Sequence, residues 1–472
     1  MRKLSIRTPL CALALVAAAG WSEAADTIVI HAAEAIVRPG EVLEDVDILI
    51  IDGVIRRVEA GIEIPEGARE LSGDVVCAGM IDPWSALGVL PADLNFTSPS
   101  PATSTADSID LYGQEFLKSQ ALKAGVTSVR LQAARRAAIS GLSSVMSLAP
   151  GSSEELVIFE EVALSASIGL TDPSSGGSGM RFNRDGSFTV VASSPKAMDP
   201  FERIAQIDRL KAQLGSGLAY RISVNEYKYS LAEWEEGIAE KVKELEKDFK
   251  KAKKDRDKEI AEAEEEDKEF KEEKYKEDKP PKKPSFNVEK EIFARAANGE
   301  LPLVVEVHRH AEIRNLLEAT AGYGRLRMVI AGGTEAASFA EELASRKIAV
   351  IVNPEPRGAK AYDEVKSQDA SLASVLHEAG VEVLIGSGGQ SANASRDLSL
   401  LAAIAIGHGL DDDAALAAIT SGPARVFDLK NRGAIEFGKQ ADLLILDGQP
   451  LSTTTTVQAV LVGGRVVVEP KE

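Results

Sequence analysis

Glu306, His308 and His310 are the residues whose types and spacing are best suited to metal chemistry, and His308 and His310 are the only closely spaced pair among the five histidines. Side chains two residues apart on a strand point to the same face, and carboxylate and imidazole groups are ligands that Zn²⁺ accepts. The apolar run that begins at Leu301 predicts a strand that ends near His308, so a shared orientation depends on how far the strand continues. We favour the alternative, in which these side chains pack in the loop after the strand.

Nucleophilic catalysis has less support. Ser387 and Ser140 have glycine neighbours, but neither lies in the Gly-any-Ser-any-Gly context of a strand-to-helix nucleophile turn. The run Gly386-Ser-Gly-Gly389 resembles a phosphate-binding loop but has no following lysine.

The elements that must position these residues alternate along the chain. An apolar run at 75–81 predicts a first buried strand, and further strands are predicted at 125–130, 301–308, 327–331, 348–352 and 381–385. Helices are predicted at 311–321, 337–346, 370–379 and 399–406. This alternation is typical of an α/β protein built as a (β/α)8 barrel.

Both termini contribute short strand-like segments outside this alternating region. They lie between residues 26 and 75 and again from 441 to 468, where Gly463 and Gly464 separate two apolar runs as in a β-hairpin. We predict a small composite β-sandwich formed by the N- and C-terminal segments.

Three motifs resemble the amidohydrolase superfamily, which includes dihydroorotases and imidazolonepropionase-like enzymes. They are Ala-Gly-Met-Ile-Asp-Pro at 78–83, the segment ending Thr-Ser-Gly-Pro-Ala-Arg-Val-Phe at 420–427, and Gly-Ala-Ile-Glu-Phe-Gly-Lys-Gln-Ala-Asp at 433–442. The resemblance implies a (β/α)8 barrel with a composite sandwich. It also implies hydrolysis of non-peptide C–N bonds by a metal-activated water.

The resemblance also implies where the metal ligands should lie, and the usual ligand is replaced at every one of these positions. The two histidines after strand 1 correspond to Trp84 and Ala86, and the strand 5 histidine corresponds to Glu306, although His308 is kept beside it. The strand 6 histidine and the strand 8 aspartate correspond to Gly332 and Gly388, and no bridging lysine is evident near strand 4. The candidate pocket therefore comprises Trp84, Ala86, Glu306, His308, Gly332 and Gly388.

Three hypotheses follow. The first is a pseudoenzyme that has lost metal-dependent catalysis and binds a small-molecule ligand or a protein partner, with no cofactor. The second is an active hydrolase with a relocated site for Zn²⁺ or another divalent metal at Glu306, His308 and His310. The third is a non-catalytic subunit that pairs with an active relative. We expect a homo- or hetero-oligomer.

Composition limits the location and the partners. The net charge of −19 argues against nucleic acid or an anionic membrane as partner. Residues 1–25 resemble a signal peptide, too short in its apolar run to span a membrane, so we expect a protein exported to the periplasm or secreted. Beyond that segment Cys77 is the only cysteine, and we predict that it is a buried strand residue.

We predict four regions. A signal peptide covers 1–25, the first part of the β-sandwich 26–75, the barrel 76–430 and the second part of the sandwich 431–472. A charged helical insert at 233–283 interrupts the barrel.

Overall fold

The computed structural model describes residues 26–89, 100–110, 113–132, 137–149, 156–169, 178–182, 188–192, 198–266, 280–355 and 369–470. The predicted signal peptide lies outside these residues.

The strands of the described residues form two large sheets and one two-stranded ribbon. Their bounds are β1 Thr27–Arg38, β2 Glu41–Ile51, β3 Val54–Glu59, β4 Arg69–Ala78, β5 Met80–Ser85, β6 Val126–Leu131, β7 Ile139–Ser147, β8 Val157–Ser167, β9 Ser178–Phe182, β10 Phe188–Ala192, β11 Leu303–Val307, β12 Met328–Gly332, β13 Ala349–Val352, β14 Val383–Ile385, β15 Leu443–Leu446, β16 Val457–Val462 and β17 Arg465–Val468.

The helices lie mainly in the second half of the chain. Their bounds are α1 Glu115–Lys123, α2 Pro200–Glu266, α3 Val288–Ala297, α4 His310–Thr320, α5 Ala340–Ser345, α6 Leu372–Glu378, α7 Leu398–Gly407, α8 Asp412–Ile419 and α9 Ser421–Val426. Short 3-10 turns cover Thr105–Ser108, Ala336–Phe339 and Ala392–Asp397. In the part of the chain that the structure describes, no helix combines the length and the apolarity needed to cross a membrane.

Strands from both ends of the chain share one seven-stranded sheet, in the order β17-β16-β15-β4-β1-β2-β3. The two ends meet where β15 pairs antiparallel with β4, so that Leu443 lies opposite Ala78. Alternate residues of these strands, including Ile30, Ile48 and Leu461, form a buried cluster on one face of the sheet. The predicted joining of the two termini is therefore present as a sheet separate from the barrel.

The second large sheet has eight strands in the order β14-β13-β12-β11-β8-β7-β6-β5 and nearly closes into a barrel. Closure comes from the backbone N–H of Gly389, which donates to the carbonyl oxygen of Trp84 at 2.9 Å. Strand β7 runs antiparallel to both β6 and β8, so the sheet differs from the eight parallel strands of a regular (β/α)8 barrel. The connections on either side of β7 are too short for the crossover that a parallel neighbour requires.

The apolar run at 75–81 is divided between the two sheets rather than forming one strand. Strand β4 ends at Ala78 in the terminal sheet and β5 begins at Met80 in the barrel. Gly79 lies at the junction, where its N–H donates to the carbonyl oxygen of Asp442 and an added Cβ would lie 2.4 Å from the side chain of Thr127. Apolar content alone could not reveal this division, because both halves are buried.

Helix α2 begins at Pro200, well before the charged segment. Its first turns pack on the barrel through Ile207, Leu210 and Leu214, all buried. Further along, Val242 and Leu245 are 47% and 53% exposed, so this part of the apolar stripe does not reach the core. The predicted limits of the insert, 233–283, remain a prediction.

Candidate functional site at the barrel mouth

The carboxyl ends of the barrel strands bring most of the predicted pocket residues to one end of the barrel. Trp84 is the penultimate residue of β5, Glu306 and His308 lie at the end of β11, and Gly332 ends β12. Gly388 follows β14 and has a φ of 92°, a backbone conformation that favours glycine. In barrels of this kind, the active site lies at this end.

Trp84 fills the part of the mouth next to β14. It is 2% exposed and packs in the barrel interior with Ile81, Ile351 and Leu384. An added Cβ at Gly386 would lie 2.8 Å from the Cβ of Trp84. An added Cβ at Gly389 would lie 2.7 Å from its indole Nε1. The glycines after β14 therefore leave room for the indole, and the neighbouring Ala86 is fully buried with only a methyl group.

Asp82, the carboxylate of the strand 1 motif, closes the barrel. It is fully buried and accepts hydrogen bonds from the backbone N–H groups of Trp84 at 3.0 Å and Ser387 at 3.1 Å. The hydroxyl of Ser395 donates to its second oxygen at 2.8 Å and also contacts the hydroxyl of Ser85 at 2.7 Å. These bonds join β5 to the segment after β14.

Arg130 on β6 is a fully buried cation inside the barrel. Its guanidinium donates to the hydroxyls of Ser143 at 3.1 Å and Ser165 at 3.0 Å and to the carbonyl oxygen of Pro83 at 2.9 Å. Burial lowers the pKa of Arg130 to about 9, and the negative charge of Asp82 opposes that shift, so the guanidinium is charged at neutral pH. Sequence reasoning did not single out this residue. The available signal was a charged residue within the predicted strand 125–130.

Glu306 and His308 lie together, as their spacing suggested. Glu306 is fully buried, and its carboxylate lies 3.7 Å from Nε2 of His308. The other ring nitrogen of His308, Nδ1, is 2.8 Å from the hydroxyl of Thr334. The ring also lies against the backbone of Gly332, where an added Cβ would be 2.3 Å from Cε1.

His310 does not join this pair. It is the first residue of α4, is exposed, and its ring lies 4.6 Å from that of Phe339 between centroids. Its backbone N–H donates to Glu335 at 2.5 Å. Within the described ranges, no three His, Cys, Asp or Glu side chains are grouped so that they could hold a metal ion. The described side chains at the mouth therefore do not fit the metal that the resemblance implies.

Several described side chains at the carboxyl ends of strands carry polar atoms without a hydrogen-bond partner. They include Gln132 after β6, through both amide atoms, Ser167 at the end of β8, and the half-buried His308 through Nε2, which lies 3.7 Å from the carboxylate of Glu306. Gln132 and Ser167 are 1% and 2% exposed, and each lies two residues beyond an inward-pointing side chain, Arg130 or Ser165. Buried polar atoms without partners cost about 1–3 kcal/mol each, and they call for a functional explanation.

The fold, a nearly closed eight-stranded barrel joined to a sheet built from both termini, is shared with solved structures. Residues 300–467 match the model of the amidohydrolase family. An amidohydrolase from Thermotoga maritima MSB8 has a TM-score of 0.65 at 20% identity, with 94% of this chain and 100% of that chain covered. A second solved structure, of a protein described as uncharacterized, has a TM-score of 0.50 at 15% identity, with the same coverage. No curated protein matches the sequence.

Residues 300–467 are thus similar to the amidohydrolase family, and the chain shares its fold over most of its length with a solved amidohydrolase.

Proposed function

We propose that this protein is an exported pseudoenzyme of the amidohydrolase superfamily, which binds a small polar ligand at the barrel mouth without metal-dependent catalysis. In this proposal the fold is a (β/α)8-type barrel with a composite β-sandwich. The observation that carries the proposal is that the side chains of Trp84 and His308 occupy the space beside the ligand positions of strands 8 and 6.

Packing supports this conclusion. A buried indole contributes several kcal/mol to stability through its burial and contacts. A metal site beside Gly386 and Gly389 would require the indole of Trp84 to leave a position where it is 2% exposed. The ring of His308 would likewise have to move before any side chain could enter at Gly332.

Charge supports it as well. Acidic groups buried at the centre of the barrel need a nearby cation, because an uncompensated buried charge is strongly destabilising. Arg130 supplies that positive charge near Asp82 from the chain itself. Since its donors are used by Ser143, Ser165 and Pro83, we assign Arg130 to the support of the barrel and not to substrate binding.

Ligand binding is supported by the unpartnered polar atoms of Gln132, Ser167 and His308. They offer an amide donor and acceptor, a hydroxyl and an imidazole nitrogen. A small neutral or zwitterionic molecule with amide or hydroxyl groups has the matching chemistry, because each buried polar atom would then gain a hydrogen bond.

The first experiment measures metal in the purified mature protein by elemental mass spectrometry, after incubation with Zn²⁺ or Mn²⁺ and removal of the excess. We expect no stoichiometric metal in the wild-type protein or in His308→Ala. Near-stoichiometric metal that disappears in His308→Ala would overturn the proposal. A thermal-shift screen of small amides and polyols, with Gln132→Leu as the control variant, then tests ligand binding.

The proximity of Glu306 and His308 favours one alternative, an active exported amidohydrolase with a relocated metal site. That site would require further ligands beyond this pair, because His310 lies elsewhere. The same metal measurement distinguishes the two functions.

A further inference from the structure

A cavity of about 520 Å³ lies at the other end of the barrel, away from the mouth. It is formed by the turn at Arg38, by helix α9 and by the segment 428–439. Two contacts show which end of the barrel it occupies. Arg327, immediately before β12, donates to the carbonyl oxygen of Val426 in α9 at 2.8 Å. Glu382, immediately before β14, forms an ion pair with Arg425 of the cavity wall. These contacts place the cavity at the amino ends of the barrel strands.

The cavity wall is rich in positive charge, whereas the whole chain carries a net charge of −19. The basic residues of the wall are Arg38, Arg425, Lys430, Arg432 and Lys439, and the acidic ones are Asp428 and Glu436. The wall therefore has an excess of cations on a protein that is acidic elsewhere.

The carboxylates that pair with two of these arginines do not line the cavity. Glu382 pairs with Arg425 and Asp442 pairs with Arg432, and neither carboxylate belongs to the wall. Lys430 forms no ion pair with any residue that the structure describes. The residues that line the cavity therefore carry a net positive charge, although further acidic residues lie behind the wall.

The two acidic residues of the wall are already held by cations. Asp428 pairs with Arg327 at 2.5 Å. Glu436 lies between Arg38 at 2.8 Å and Lys439 at 3.9 Å. Their charges are thus compensated locally, and among the described basic residues of the wall Lys430 has no ion-pair partner.

Arg432 adds an independent observation. It is 8% exposed, and its Nε has no hydrogen-bond acceptor in the part of the chain that the structure describes. Burial lowers the pKa of Arg432 to about 10, so the side chain remains charged at neutral pH. Arg432 lines the cavity, and a buried guanidinium N–H without an acceptor is suited to an anionic ligand, because charge-assisted hydrogen bonds are the strong ones.

We infer that this cavity binds a small polyanion, a molecule that carries two or more carboxylate or phosphate groups, with Lys430 and Arg432 as its principal contacts. The volume is in the range of ordinary small-molecule sites. The site lies at the opposite end of the barrel from the mouth, and its occupation would link the barrel to the terminal sheet, because Arg38 belongs to the sheet and Arg432 follows the barrel's last helix.

The test is isothermal titration calorimetry of the full chain with citrate and with inorganic phosphate, at constant ionic strength set with NaCl. The variants are Lys430→Glu and Arg432→Gln. The matched control for Lys430→Glu is Lys283→Glu, an exposed lysine outside the cavity with the same change of charge. We expect saturable binding of at least one anion that weakens about tenfold or more in both cavity variants, as for the loss of a charge-assisted contact. The control should bind within about twofold of the wild type.

Circular dichroism melting of each variant without ligand shows whether it is folded. Arg432 is buried, so Arg432→Gln could unfold the protein. In that case Lys430→Glu, a substitution at an exposed position, still tests the inference. Absence of saturable binding to both anions, or equal weakening in Lys283→Glu, would overturn the inference and leave the basic wall a stabilising role only. The metal measurement at the mouth does not depend on this outcome.

Discussion

The imidazole ring of His308 lies against the backbone of Gly332, so that a Cβ added to the glycine would be 2.3 Å from Cε1 and 2.8 Å from Nδ1 of the ring. The two residues are neighbours because β11 and β12 pair in parallel, with Val307 opposite Gly332. The position where the resemblance implies a histidine ligand thus accepts no side chain while His308 keeps its place.

Substitution of Gly332 by alanine should destabilise the protein by roughly 2–5 kcal/mol. The φ of 87° adds strain of about 1–2 kcal/mol, and the contact with the ring adds about 1–3 kcal/mol of overpacking. Urea unfolding monitored by circular dichroism measures the change in the free energy of unfolding.

Two controls separate strain from contact. Gly67→Ala has a similar φ of 83° with nothing within 4 Å of the added Cβ, so it should show the strain alone. In a His308→Ala background, Gly332→Ala should cost less than in the wild type. An equal cost in both backgrounds would mean that the ring contact is not the reason.

Truncation of Trp84 to alanine should cost about 3–5 kcal/mol, because it removes a large buried side chain and leaves a cavity in the barrel interior. The comparison is Tyr229→Ala on α2, where the ring is 75% exposed and the expected change is within about 0.5 kcal/mol. Denaturant unfolding measures both. A small loss at Trp84 would show that the indole does not fill the mouth in solution.

Replacement of Arg130 by methionine should destabilise the protein by about 3–5 kcal/mol, because it leaves Asp82 as a buried carboxylate without its nearby cation. Asp82→Asn in the same chain removes the uncompensated charge and should recover part of the loss. A double-mutant cycle measured by urea unfolding gives the coupling free energy. Additive effects of the two substitutions would contradict a charge interaction between them.

The carboxylate of Asp47 in the terminal sheet should make stability depend on pH. Burial raises the pKa of Asp47, but the hydrogen bonds from His31 at 2.6 Å and from the N–H of Ile62 at 2.9 Å lower it more, so the net shift is below the ordinary 3.8. A lowered folded-state pKa contributes stability that is present above 3.8 and lost as the pH falls through the folded-state value.

The free energy of unfolding of Asp47→Asn should accordingly be lower than that of the wild type at pH 7, and the difference should shrink below about pH 4. Urea titrations between pH 3 and pH 7 measure it. A difference that remains constant over this range would rule out the carboxylate charge as its cause.

Cys77 should be unreactive in the native protein. It is 1% exposed on β4, which agrees with the predicted buried strand cysteine, and burial raises the pKa of its thiol to about 12. Since the thiolate is the reactive form, a disulfide reagent at pH 8 should label the protein only in urea. Cys77→Ser should abolish that labelling in the mature chain, and rapid labelling without urea would contradict the burial.

Much of the second half of the barrel could be predicted from the sequence. Strands β11 to β14 and helices α4, α6 and α7 lie within two residues of their predicted bounds. Strands buried on both faces appear as continuous apolar runs, and the intervening amphipathic segments mark the helices. The first half of the barrel was harder to predict from the sequence. The division of 75–81 at Gly79 and the antiparallel direction of β7 depend on which strands pair, and local composition does not determine strand pairing.

The sequence by itself determined which side chains stand at the positions of the expected ligands, because residue type at Trp84, Ala86, Gly332 and Gly388 is read directly. Only the tertiary structure decided what occupies the space they leave. Trp84 meets Gly389, and Asp82 meets Ser387, across some three hundred residues. Such contacts exist only once the barrel closes, and closure depends on strand pairing and hydrogen bonds that no local pattern encodes.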